Sequence, residues 1–297
     1  MLIVSEELYN PILNKHDIEK IIVLAETVDD ATTHNPIARI SKYTSPKEIF
    51  SKIIGISGNS IRALPDNNGT QIVSVYSAFG GAGKTTISLG LATRLAQGYK
   101  KVLYINAGWI NSFGFRLKDP STMSSVDARA IGSCADDSMY DAVKRVIRKE
   151  GFSYLPPFGL PLISLGVDYG IYEKLAESAK KSKEYDFIIV DADSGFDRYK
   201  ASLLKLSDKV VVVTKQDKAS QSVTDILISS IIDSNNEKYL FVCNEFGGEA
   251  NLDEVDPNRN RSGCIEETIE KIPDCDEKPL ETIAEINGIR RLACLIM

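Results

Sequence analysis

The chain has 297 residues, with 35 Lys and Arg against 41 Asp and Glu, a formal net charge of -6, and 43% hydrophobic residues. That is enough apolar material for a sizeable core, while the acidic balance speaks against charge-driven binding to DNA. Its two histidines, His16 and His34, and five scattered cysteines exclude a histidine-built metal centre or Ser-His-Asp triad in the later part of the chain, and fit reduced thiols of the cytosol.

Near the start, the short apolar runs LIVSEEL, KIIVLAE and ARISKY predict buried strands, and SPKEIFSKIIGI at 45–56 has helical spacing of Ile49, Phe50, Ile53 and Ile54. Alternating strands and helices predict a small parallel sheet. Gly, Asn, Asp and Pro then cluster in SGNSIRALPDNNGTQ at 57–71, as linkers do. The expected organisation is a region 1–57, a linker 58–70 and a main domain 71–297.

In the main domain QIVSVY (71–76), KVLYIN (101–106), FIIVD (187–191), KVVVVT (209–214) and YLFVCN (239–244) are apolar runs without strict alternation, the pattern of strands covered on both faces. Helices are predicted at 84–97, 137–149, 171–182, 219–234 and 280–295. The charge run KRVIRKE (144–150) reads as the solvated side of the second of these, and the polar stretch 245–263 as a long exposed loop. The fold class is a doubly wound α/β domain with a mostly parallel sheet. No run approaches the roughly 20 apolar residues needed to span a bilayer, and MLIVSEELYN lacks the marks of a secretory signal. The expected location is the cytoplasm.

Between the first strand and first helix of this domain stands SAFGGAGKTT, residues 77–86. Gly80, Gly81, Ala82 and Gly83 allow backbone N–H groups to curve around phosphates, and the following helix turns its positive end toward them. Lys84 then reaches the β and γ phosphates, and the Thr85 hydroxyl ligates Mg2+, with Thr86 beside it. Asp191, closing FIIVD, is the acidic partner that holds the metal's water, which makes Lys84 and Asp191 the candidate catalytic pair and Thr85 and Asp191 the metal pair. Asp193 and Gly195 follow in DADSG, where a glycine lets the backbone meet a γ-phosphate. Asn244, at another strand end, is placed to meet the base of the nucleotide. ATP with Mg2+ is the cofactor these residues predict.

VYSAFGGAGKTT, GYKKVLYIN, YDFIIVDADSG and VVVVTKQD, in this order, resemble the MinD/ParA group of deviant Walker A ATPases over roughly 71–297, and KPLETIAEINGIRRLA resembles that group's closing helix. A nucleotide-binding domain preceded by a receiver-like region is similar to the TadZ/CpaE pilus-assembly proteins. That resemblance implies a factor that positions a pilus or secretion apparatus at a cell pole, self-associates as a homodimer and meets assembly proteins. The first region resembles only the last half of a receiver, with Lys42 at its lysine position. Ser5 and Glu6 stand where the phosphate-accepting Asp would be, so it reads as a docking or dimerising module.

Two positions depart from the group's pattern. The group's loop carries a lysine directly before its two glycines, which reaches across a dimer to the partner's phosphates; here that residue is Phe79, and an aromatic ring cannot supply the charge. The group's second strand runs into an Asp-x-Asp pair; here it reads Asn106-Ala107-Gly108. Losing a cationic contact of this kind costs roughly 10³ to 10⁵ in rate, so the expectation is a protein that holds ATP and hydrolyses it slowly. Lys215 or Lys218 could supply the missing cation instead. Two other readings stay open: an active ParA/MinD-type partitioning or positioning ATPase, and a relative of bacterial tyrosine kinases, although none of the 12 tyrosines lies beyond Tyr239. The closing helix is expected to pack on the sheet, with peripheral membrane contact as the alternative.

Overall fold

The computed structural model describes residues 2–11, 13, 18, 21–26, 38–43, 69–134, 139–231, 238–247 and 265–297. The helix expected from residue 45, the linker 58–68 and most of the loop expected at 245–263 lie outside these residues. The chain divides into two compact units, Met1–Asn68 and Gly69–Met297.

In the first unit β1 (Leu2–Ser5), β2 (Ile21–Ala25) and β3 (Ala38–Ser41) form a parallel sheet in that order. Ile22 and Ile40 are fully buried between neighbours. The strand ends are tied by charge: Arg39 pairs with Glu6 at 2.7 Å and Lys42 with Glu26 at 2.6 Å. These pairs are exposed and contribute little to stability.

Among the described residues the second unit has eight strands: β4 (Gln71–Tyr76), β5 (Val102–Ala107), β6 (Arg148–Glu150), β7 (Phe152–Tyr154), β8 (Phe187–Ala192), β9 (Lys209–Thr214), β10 (Tyr239–Phe246) and β11 (Ile265–Glu270). They lie in the order β11-β10-β9-β4-β8-β5-β7-β6, all parallel except the β6–β7 pair. The Val- and Ile-rich runs are buried on both faces, as their lack of alternation predicts. One face of the sheet carries Val73, Val75, Tyr104, Ile189, Val211 and Val213. The other carries Ile72, Leu103, Ile105, Ile188, Val190 and Val212.

Helix α1 (Lys84–Gln97) covers the first face. Ile87, Leu91 and Leu95 recur every four residues, and Leu89 and Ala92 extend the apolar surface around the helix. Such a helix needs cover on both sides. The sheet supplies one, and α8 (Leu280–Ala284) with α9 (Asn287–Ile296) supplies the other. The second face is covered by α5 (Ile171–Ser182), α6 (Arg198–Leu206) and α7 (Lys218–Ile231), and the short helices α2 (Ser125–Gly132), α3 (Met139–Lys144) and α4 (Leu162–Leu165) fill in beyond β5.

Three expectations are corrected. The helix expected at 137–149 ends at Lys144. The chain then turns, and Arg148–Glu150 becomes β6, folded back on β7 around Gly151 at φ +77°, so KRVIRKE is not one helix face. The strand β11 was not expected at all. The helix expected at 280–295 is two helices, because Ile286 is extended at φ -61°, ψ 132°.

The last of them, α9, buries Gly288, Ile289, Leu292, Ala293 and Ile296. A Cβ at Gly288 would stand 2.5 Å from the Thr268 carbonyl oxygen, so only glycine lets this helix lie so close to β11. Among the described residues no helix is long and apolar enough to cross a membrane.

Candidate functional site

The site grows from the point where β4 ends. Both strands beside β4 come later in the chain, so the connections leave to opposite sides and open a crevice at the strand ends. Residues 77–83 turn there into α1, with Gly81 at φ +72° and Gly83, the residue that caps the helix, at φ +87°. A Cβ at Gly83 would stand 2.2 Å from the Asn244 amide nitrogen. No acidic residue of its own occupies the first turn of α1; the carboxylates that face its positive end, Asp191 and Asp193, come from β8 and the loop after it.

Asp191 faces α1 from β8. In the sheet it stands opposite Asn106 of β5 and Val75 of β4, and Tyr104, two residues before Asn106, points to the same side. Three donors converge on its Oδ2: the Asn106 amide at 2.6 Å, the Thr85 hydroxyl at 2.7 Å and the Tyr104 hydroxyl at 3.0 Å. The Asn106 side chain is oriented in turn by Asn111, whose amide donates to Asn106 Oδ1 at 2.9 Å. The other carboxylate oxygen, Oδ1, is buried with no hydrogen-bond partner. Burial holds the carboxyl above its ordinary value, opposed by the hydrogen bonds from Thr85, Tyr104 and Asn106 and by the Lys84 charge.

A buried polar atom without a partner costs about 1–3 kcal/mol. A hard divalent cation bound by oxygens relieves that cost, and a carboxylate next to a threonine hydroxyl is a donor set that suits Mg2+. Thr85 and Asp191 are therefore the residues that could hold the metal.

Lys84 donates from Nζ to the Ser194 hydroxyl at 2.6 Å, and burial pulls its pKa down against the fields of Asp191 and Asp193. Phe79, at the position of the group's lysine, packs its half-buried ring against the apolar core on the α1 side. Lys215, one proposed substitute, is paired with Glu245 at 2.9 Å; Lys218 begins α7 and is exposed.

Asn244 is buried and donates to the Ala82 carbonyl at 2.9 Å, so its amide nitrogen braces the loop. Beside it lies a cavity of about 420 Å³ bordered by Gly83, Thr86, Asn244, Lys271, Asp274 and Glu277. Glu245 and Asp274, both on its rim, hold left-handed backbone at φ +54° and +49°, a conformation that side chains other than glycine adopt at a cost. Buried Arg116 donates to the carbonyls of Cys275 and Lys278 and secures the far wall.

The loops after β5 and β8 are tied behind the site. Tyr169 and Tyr172 donate their hydroxyls to the carbonyls of Ala107 at 2.5 Å and Gly108 at 2.7 Å. The Lys200 side chain is only 2% exposed. Its ammonium lies 3.8 Å from the centre of the Tyr169 ring and 5.8 Å from that of Trp109, with Asp197 at 2.9 Å. Lys84, Thr85 and Asp191, predicted together, stand together. Tyr104, Asn106 as a donor and Ser194 were missed as parts of this network, because their partners lie on other strands and loops; Lys200 was missed although Asp197 stands only three residues before it.

No family model matches the chain. An ATP-binding protein of Methanocaldococcus jannaschii is 30% identical over 151 residues, covering 48% of this chain. The chain thus spans about half, 52%, of that relative's length. Among solved structures, a ParA family ATPase of Chlorobium tepidum superposes with a TM-score of 0.61 at 16% identity, over 75% of this chain and 98% of the other. The fold is that of the MinD/ParA P-loop ATPases. The septum site-determining protein MinD of Pyrococcus horikoshii, complexed with Mg-ADP, matches with a TM-score of 0.52 at 20% identity, over 75% and 94% of the two chains. Within this fold the strand-to-helix turn at 77–86 and the Asp191 carboxylate of β8 stand side by side, joined by the Thr85–Asp191 hydrogen bond.

Proposed function

We propose that this chain binds ATP with Mg2+ at residues 80–86 and works as a localisation or assembly factor of the TadZ/CpaE kind, with slow ATP turnover. The observation that carries the binding is the Asp191 oxygen left without a partner beside Thr85 and Lys84. The loop amides would hold the triphosphate, and Thr85 and Asp191 would hold the metal, whose positive charge would relieve that partnerless oxygen. Lys84 meets the phosphates as a point charge, and the cavity beside Asn244 and Thr86 takes the base. ATP and Mg2+ supply the energy and charge of phosphoryl transfer when bound; the chain's own residues orient them.

Slow turnover is supported by two side chains. Phe79 is engaged in apolar packing and offers no cation, and Asn106 is a neutral donor to Asp191 where the group has an acid. Phosphoryl transfer depends on positioned charge. The receiver-like region 1–57 as a docking module, homodimer formation, pilus or secretion partners, a cytoplasmic and polar location, and peripheral membrane contact complete this reading on resemblance to TadZ/CpaE.

The test is a titration of the full chain with ATP and Mg2+, paired with a phosphate-release assay on the same sample. Tight binding with little release is expected. Fast release turns the conclusion to an active ParA/MinD-type ATPase, and Lys84→Ala with unchanged affinity removes the site.

A further inference from the structure

Lys84 and Phe79 are joined through Ser194. The ammonium of Lys84 can only donate and the Phe79 carbonyl can only accept. Ser194 Oγ, 2.6 Å from the first and 2.8 Å from the second, therefore accepts from Lys84 and donates to Phe79. The direction of the relay is fixed by chemistry alone. Its middle member is held from both sides: the Ser194 N–H donates to Asp193 Oδ1 at 2.8 Å, and the Tyr76 hydroxyl donates to the Gly195 carbonyl at 2.8 Å.

We infer that Ser194 is a positioning residue for Lys84, keeping its ammonium beside the phosphate loop and away from the partnerless oxygen of Asp191. Two carboxylates, Asp191 and Asp193, act on the ammonium, and a flexible lysine without a neutral acceptor would settle on the buried one. That ion pair would occupy the oxygen at which a metal is to bind. With the serine in place, one of the three ammonium donors is committed and two remain for phosphate oxygens. The backbone of residue 79 thus contributes to the site through its carbonyl while its ring packs in the core.

This inference rests on the nucleotide reading above. Its test is calorimetric titration of the full chain with ATP at several Mg2+ concentrations, for the wild type, Ser194→Ala, Ser194→Thr and Lys84→Ala. Removing a hydrogen bond to a charged group predicts a loss of about tenfold in ATP affinity for Ser194→Ala, together with a higher Mg2+ concentration at half-saturation. Ser194→Thr, which keeps the hydroxyl on a half-buried residue, is expected to bind within about twofold of wild type, a rescue that a purely structural serine would not show. If Lys84→Ala loses ATP while Ser194→Ala keeps it at full affinity and unchanged Mg2+ dependence, the relay is overturned and the nucleotide site stands. Ser194→Thr binding as weakly as Ser194→Ala also overturns it. Lys84→Ala with wild-type affinity overturns both.

Discussion

Asn106 stands directly opposite Asp191 in the register of β5 and β8 and donates to it at 2.6 Å, so a neutral amide occupies a place where an acid would repel. Asn106→Asp sets a half-buried carboxylate against the buried one of Asp191. In the presence of a chelator the variant should be destabilised by about 1–3 kcal/mol, the cost of an unsatisfied buried group, and Mg2+ should restore much of the loss. Thermal melts with chelator and with Mg2+ check this; identical melting with and without the metal counts against a cation at Asp191.

Asp191 also sets a pH dependence. Its carboxyl is held above the ordinary value of 3.8, first by burial. Between that value and the raised one the native chain keeps a proton that the unfolded chain has released, so stability is full below the window and falls as pH rises through it. Asp191→Asn removes the titration. Denaturant midpoints from pH 4 upward should fall for the wild type and stay flatter for the variant, which should be about 1 kcal/mol more stable at neutral pH without ligand. A steeper decline in the variant reverses the sign and contradicts the burial argument.

Gly83 and Asn244 are coupled by contact. Gly83→Ala places a methyl 2.2 Å from the Asn244 amide at a φ of +87°, and should cost roughly 1–3 kcal/mol through strained backbone and the displaced bond to Ala82. Combining it with Asn244→Ala relieves the clash but leaves the backbone cost. The double variant should therefore be less destabilised than the sum of the singles; strict additivity in chemical denaturation would show that the two do not touch.

Lys200 offers an optical test, because the chain has one tryptophan and Trp109 faces its ammonium across 5.8 Å. Lys200→Met keeps the bulk and removes the charge. Loss of the contacts to Asp197 and the Tyr169 ring should lower stability by about 1–3 kcal/mol and shift Trp109 emission. An unchanged spectrum and melting point would mean that the ring and the ammonium are independent.

Much of this molecule was legible in its residues, and the limits have physical causes. Helix α1 was expected over the residues it occupies, since a strand, glycines and an apolar repeat mark both its ends. The five Val- and Ile-rich strands were equally plain. Strand β6 was not: Arg148, Lys149 and Glu150 have no β character of their own, and Val143, Val146 and Ile147 before them mimic helical spacing. In β11, buried Glu267 hides the strand, because the arginine that pairs with it, Arg291 at 2.7 Å, lies 24 residues on. The loop and Asp191 could be paired by chemistry, whereas Tyr104, Asn106 and Ser194 join the site only because β8 lies between β4 and β5, an adjacency that no local pattern records.

The three-residue rim formed by Arg148, Lys149 and Glu150 limits how copies of this chain can stack. A neighbour seeking to lengthen the sheet on that side meets a stub too brief and too charged to template another strand. Strand-to-strand pairing between copies is disfavoured at that edge.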